Sequence, residues 1–162
     1  MHAADETRLE AQVGAALKGR GWTVAAAESC TGGLVMHRLT NIPGSSAYLL
    51  GGVVAYDNAI KLRVLGVREE TLARHGAVSE ATAVEMARGV LDVIGADCAV
   101  SITGIAGPGG GSAEKPVGLA YFAVATRAGE VRAGQQIAPG DREAVKMASA
   151  DAALRLLLSV IG

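Results

Sequence analysis

Few arrangements can accommodate residues 23–27, Thr-Val-Ala-Ala-Ala. The run is apolar without alternating. A strand reads that way when both of its faces are covered, as in sheets that carry helices on either side. A polar turn follows at once, Glu28-Ser29-Cys30-Thr31-Gly32-Gly33, and then an apolar-periodic segment from Leu34 to Leu39. The local order is strand, tight turn, helix.

The rest of the chain extends that pattern. Residues 7–18 carry Leu9, Val13, Ala16 and Leu17 at helical spacing, with Gly19 and Gly21 as stop signals. Residues 41–46 have loop chemistry, and residues 51–56 read as a second strand. Asp57 or Asn58 caps a short helix with Ile60, Leu62 and Leu65 inward, and Gly66 closes it. Residues 68–74 form another short helix, and Ser79 opens a longer one that Gly95 ends. Residues 98–103 are a third strand, and residues 104–116 a glycine-rich loop of a length that is often functional. Residues 117–126 and 131–137 make a hairpin. Asp141 caps a last helix over residues 142–158. Helix and strand alternate first and a hairpin closes, which argues an α/β sandwich with a mixed sheet, in a single domain over residues 1–162.

Composition sets further bounds. The only aromatic side chains are Trp22, Tyr48, Tyr56, Tyr121 and Phe122, so the core is aliphatic. The net charge is −1 with no basic run, so a nucleic-acid footprint is absent. Cys30 and Cys98 make neither a disulfide framework nor a zinc pattern. The first residues lack an apolar signal segment, and no apolar run approaches a membrane span. The expected compartment is the cytoplasm, with no membrane partner and no direct nucleic-acid partner.

Three stretches begin where a predicted strand ends, the edge at which α/β sheets bind ligands. The first holds Ser29 and Cys30, two nucleophiles beside helix N–H groups that suit an oxyanion; a plain N-cap by Ser29 or Thr31 is the simpler reading. The second holds Tyr56 and Lys61. Lys61 is either a solvated lysine or a base of lowered pKa that activates Ser29. Tyr56 is either a strand-end core residue or a group that relays a proton or holds the lysine. The third is the loop from Thr103-Gly104, a surface turn or a cradle of N–H groups for a phosphate. It carries neither a P-loop nor a dinucleotide fingerprint. Arg142, in the first turn of the last helix, runs against the helix dipole; a phosphate partner or ordinary exposure accounts for it. His37 and His75 have no carboxylate partner in sequence, and no Gly-x-Ser-x-Gly elbow is present.

Taken in order, AESCTGG (27–33), GGVVAYDNAIK (51–61), GAVSEATAVEMA (76–87) and SITGIAGPGGG with EKPVG (101–111, 114–118) closely resemble the CinA C-terminal domain family. The resemblance runs from about Leu9 into the last helix. It implies a three-layer α/β/α sandwich with a mixed five-stranded sheet. Active members are nicotinamide-nucleotide amidohydrolases, which convert nicotinamide mononucleotide to nicotinate mononucleotide and ammonia in pyridine-nucleotide recycling. By that resemblance Ser29 is the nucleophile, and Tyr56 and Lys61 complete the catalytic group. Thr103, Gly104 and Gly107 line the substrate site, and Arg142 contacts it. The molybdopterin-binding-like domain that often precedes this one is not expected here.

Amide hydrolysis needs a nucleophile, a base, an oxyanion hole and an acid for the leaving amine. Ser29, Lys61, the N–H groups of Thr31, Gly32 and Gly33, and Tyr56 or Lys61 can supply them without a metal or other cofactor. Two readings compete: Cys30 as the nucleophile, since thiolates are stronger nucleophiles, and a binding module for a nucleotide or a protein. A homo-oligomer is the expected assembly.

Overall fold

The computed structural model describes residues 7–162. The helices are α1 (Leu9–Arg20), α2 (Leu34–Thr40), α3 (Asn58–Arg63), α4 (Glu69–His75), α5 (Glu80–Ile94) and α6 (Arg142–Ile161). The strands are β1 (Val24–Glu28), β2 (Leu49–Val54), β3 (Cys98–Gly104), β4 (Leu119–Thr126) and β5 (Val131–Ile137), and a 3₁₀ turn spans Ser45–Ala47. The five strands form one sheet in the order β2-β1-β3-β4-β5. The first three are mutually parallel and the last two run as an antiparallel hairpin.

The sheet sorts its side chains to two cores. Val24 and Ala26 of β1 pack with Val13 and Leu17 of α1, Val35 and Leu39 of α2, and the inner face of α6. Ala25 and Ala27 pack instead with Ala83, Met86, Ala87 and Val90 of α5. That is why β1 does not alternate: both faces lie in apolar surroundings, and alanines there let helix and sheet approach closely. The three layers are the expected α/β/α sandwich.

Several boundaries move by one to three residues, each for a local reason. Gly19 lies inside α1, and Gly21 ends it by taking the left-handed conformation at φ 66°. The second strand starts at Leu49, and a bulge skips Leu50 in its pairing with β1. The fourth begins at Leu119 because the Gly118 N–H turns back to Ile105 O. Asp57, Ser79 and Asp141 cap α3, α5 and α6 through their side chains. α6 continues past residue 158 to Ile161, buried against the core. Among the described residues no helix is long and apolar enough to cross a membrane.

Parallel pairing brings the C-terminal ends of β1, β2 and β3 to one edge. The segments after them, beginning at Ser29, Ala55 and Ile105, therefore meet.

Candidate active site

Ser29 follows the last residue of β1, and its N–H donates to Ile102 O at 3.0 Å, so the residue is tied to β3. Its side chain is buried but lines a pocket of about 290 Å³. Lys61 lines the same pocket from α3, one turn beyond the Asp57 cap. Only 1% of Lys61 is exposed. Its Nζ lies 3.0 Å from Ser29 Oγ, 2.9 Å from Ala55 O and 3.5 Å from Tyr56 O. Among the described residues no carboxylate pairs with it. Burial lowers its pKa from the ordinary lysine value, and the charges of Asp57 and Cys30 only partly oppose that. A neutral amine has two N–H donors and one lone pair. In that form the two carbonyls can take the donors and leave the lone pair for the Ser29 hydroxyl; in the charged form Lys61 Nζ donates to Ser29 Oγ.

Tyr56 holds the lysine through its backbone carbonyl, not its phenol. The ring is 62% exposed, and its hydroxyl accepts a hydrogen bond from Arg142 Nη2 at 3.0 Å. Arg142 Nη1 donates to Gly107 O at 2.7 Å. One guanidinium thus joins the segments after β2 and β3 to the start of α6, at the pocket wall. Thr103, Gly104 and Gly107 also line the pocket. The Thr103 hydroxyl donates to Ala77 O at 2.8 Å, so it braces the wall opposite.

Thr31, Gly32 and Gly33 are not among the residues lining that pocket. The reason is Glu28, whose buried carboxylate accepts from Thr31 Oγ1 at 2.6 Å, Val35 N at 2.9 Å and Met36 N at 3.1 Å. The Gly32 and Leu34 N–H groups go to Ser29 O and Thr31 O. The anion at the start of α2 is therefore the chain's own, and neither Ser29 nor Thr31 is an N-cap; that position is Gly33, without a side-chain cap. Cys30 does line the pocket, but burial pushes its thiol up to about 11, with the Glu28 charge adding to the rise. A neutral thiol is a poor nucleophile. His37 and His75 lie outside the pocket.

The pocket also has walls that sequence reasoning missed: Asn58, Ala77, Val78, Ile105 and Ala106. Asn58 read only as the alternative to Asp57 for the cap, and Asp57 takes that role. Ala77 and Val78 carry no polar signal and reach the site through the Thr103 bond.

Fold and site together define a class: an α/β/α sandwich with a buried serine–lysine pair at the C-terminal ends of its parallel strands. The chain belongs to the CinA C-terminal domain family, whose profile matches residues 6–161. It is 55% identical over 150 residues to the nicotinamide-nucleotide amidohydrolase PncC of Escherichia coli, covering 93% of this chain and 91% of that one. It is 54% identical over 153 residues to a putative competence-damage inducible protein of Moorella thermoacetica, where the match covers 94% of this chain but spans 37% of the relative. The crystal structure of the competence/damage inducible protein CihA from Agrobacterium tumefaciens superposes with a TM-score of 0.91 at 44% identity, over 94% of this chain and 93% of that one.

Proposed function

We propose that this protein is a nicotinamide-nucleotide amidohydrolase, with nicotinamide mononucleotide as its small-molecule substrate. The observation that carries the reading is the 3.0 Å approach of Lys61 Nζ to Ser29 Oγ inside a buried pocket. A serine hydroxyl needs a neighbour to take its proton, and a lysine whose pKa is lowered by burial is such a base in its neutral form. The likeness to the Escherichia coli amidohydrolase over nearly both chains supports the substrate class.

The reaction then runs in two halves. Ser29 Oγ bonds to the carboxamide carbon while its proton passes to Lys61, and the carbonyl electron pair moves onto oxygen. Collapse of that adduct breaks the C–N bond, Lys61 returns the proton to nitrogen, and ammonia leaves an acyl-Ser29. Water attacks the acyl carbon with Lys61 again as base, releasing nicotinate mononucleotide and restoring the hydroxyl. The pyridine ring packs on the apolar wall of Ala77, Val78 and Ile105. Arg142 has N–H donors beyond the two in use and takes the substrate phosphate, while Tyr56 orients both Arg142 and Lys61. Thr103, Gly104 and Gly107 shape the floor. Thr31, Gly32 and Gly33 serve the site only by shaping the Ser29 turn.

The activity is assigned to the single domain over residues 1–162, acting in the cytoplasm as a homo-oligomer and without nucleic acid. Purified protein should release ammonia and nicotinate mononucleotide from nicotinamide mononucleotide with EDTA present. Ser29→Ala should abolish turnover and Cys30→Ala should retain it. Full activity in Ser29→Ala would overturn the serine mechanism, and binding without turnover in the parent would favour a binding module.

A further inference from the structure

An acyl-transfer site needs donors for the oxygen that becomes negative, and at the start of α2 the Val35 and Met36 N–H groups are already taken by Glu28. The loop after β3 offers others. The Ile105 N–H donates to Leu119 O, and the Gly118 N–H donates back to Ile105 O. Gly107 O is held by Arg142. Between these anchors, the N–H groups of Ala106 and Gly107 have no acceptor among the described residues. Both residues are buried, Ala106 to 6% exposure, and both line the pocket of Ser29. Buried N–H groups without a partner are rare and costly in folded proteins. Here the pocket's contents are the acceptor left to them.

Sheet order supplies the direction. β1 lies between β2 and β3. Ser29 follows β1, Lys61 comes from the segment after β2, and Ala106 and Gly107 come from the segment after β3. The base and the two unpaired donors therefore flank the nucleophile from opposite sides. A carbonyl attacked by Ser29 Oγ can then turn its oxygen away from the lysine and toward these donors. The Cys30 N–H, beside Ser29, likewise has no acceptor among the described residues, and it is the donor left if the test below fails. The geometry points to the Ala106 and Gly107 N–H groups as the oxyanion hole of this site. The assignment rests on the acyl-enzyme reading above and names the donors that reading requires. When the carbonyl electron pair moves onto oxygen, these two N–H groups receive it, and they lose it again when the C–N bond breaks.

Side-chain substitution leaves an N–H in place, so the test is a backbone ester. Semisynthesis replaces Ala106 with lactic acid or Gly107 with glycolic acid, exchanging one N–H for oxygen with little change of shape. An ester at Gly111, exposed in the same loop and outside the pocket wall, is the control. The expected result is a loss of about 10²-fold or more in kcat at Ala106 and at Gly107, with KM within a few-fold of the parent and the control unaffected. Parent-like kcat in both esters overturns the assignment. So does a rise in KM at unchanged kcat, which makes these N–H groups ground-state anion binders. Acylation of Ser29 by p-nitrophenyl acetate, followed by intact mass, separates this inference from the substrate assignment. If the parent releases no ammonia yet is acylated, slower acylation in the two esters still supports the donors, and equal rates, or no acylation of the parent at Ser29, overturn them.

Discussion

Two cations sit inside this protein, and they are treated in opposite ways. Arg38 of α2 has a side chain 11% exposed and meets Glu10 at 2.8 Å and Asp151 at 2.6 Å, tying α1 and α6 to its own helix. Burial alone would lower its pKa, but its hydrogen bonds to both carboxylates outweigh that and raise it. Lys61 is buried more deeply and meets only neutral oxygens. Burial wins there, and the pKa falls. A buried charge that is paired holds the fold together, whereas one left unpaired is pushed toward its neutral form and becomes a base. The carboxylate beside the nucleophile makes the same point. Glu28 is buried, yet three donors satisfy it, so it shapes the turn.

The sharpest way to break this contrast is Lys61→Met. It should lower amidohydrolase activity by about 10³-fold or more and leave Tm equal or higher, because it removes a buried amine that resists charging. A clear fall in Tm would mean that Lys61 serves the fold as Arg38 does. The converse is Arg38→Met, which strands Glu10 without its main partner. It should cost about 3 kcal/mol, read as a lower denaturant midpoint, with kcat close to the parent.

The two cations also predict opposite pH responses. Lys61 has a folded pKa below its unfolded value, so between those two values the unfolded chain binds more protons. Its contribution to stability therefore improves as pH rises through that window, and its burial cost is fully present below it. Activity should rise over the same limb as the neutral amine accumulates, and a pH profile of kcat/KM measures the midpoint. Glu10 is depressed: burial would raise its pKa, and the hydrogen bonds with Arg38, the backbone and Arg8, with the Arg38 charge, together overcome that. Its contribution is present above the unfolded carboxylate value and is lost as pH falls through the folded one. Arg38→Met should therefore flatten the acid side of the stability curve and leave the alkaline side alone.

The smallest expected effect is at Asp57, whose charge supports the protonated form of Lys61 and whose side chain caps α3. Asp57→Asn keeps a capping oxygen and removes the charge. It should move the activity limb a few tenths of a pH unit lower, on the order expected for one charge near the surface, with stability within about 0.5 kcal/mol.

Read by itself, the chain already determined the order of its elements, the two covered faces of β1, a cap at Asp57 or Asn58 and caps at Ser79 and Asp141, and the three stretches that gather at one sheet edge. Those features follow from side-chain period, capping chemistry and turn preference, all of which act over a few residues. It also narrowed the nucleophile to Ser29 or Cys30 and left Lys61 between a solvated lysine and a base. Tertiary structure supports the proposed choice between these, because a pKa depends on what surrounds a group and not on its neighbours in sequence. Only packing buried Lys61 without a carboxylate and pushed the Cys30 thiol up. Only packing turned Glu28 onto the start of α2 and the Tyr56 phenol onto Arg142, and left two N–H groups after β3 without an acceptor among the described residues.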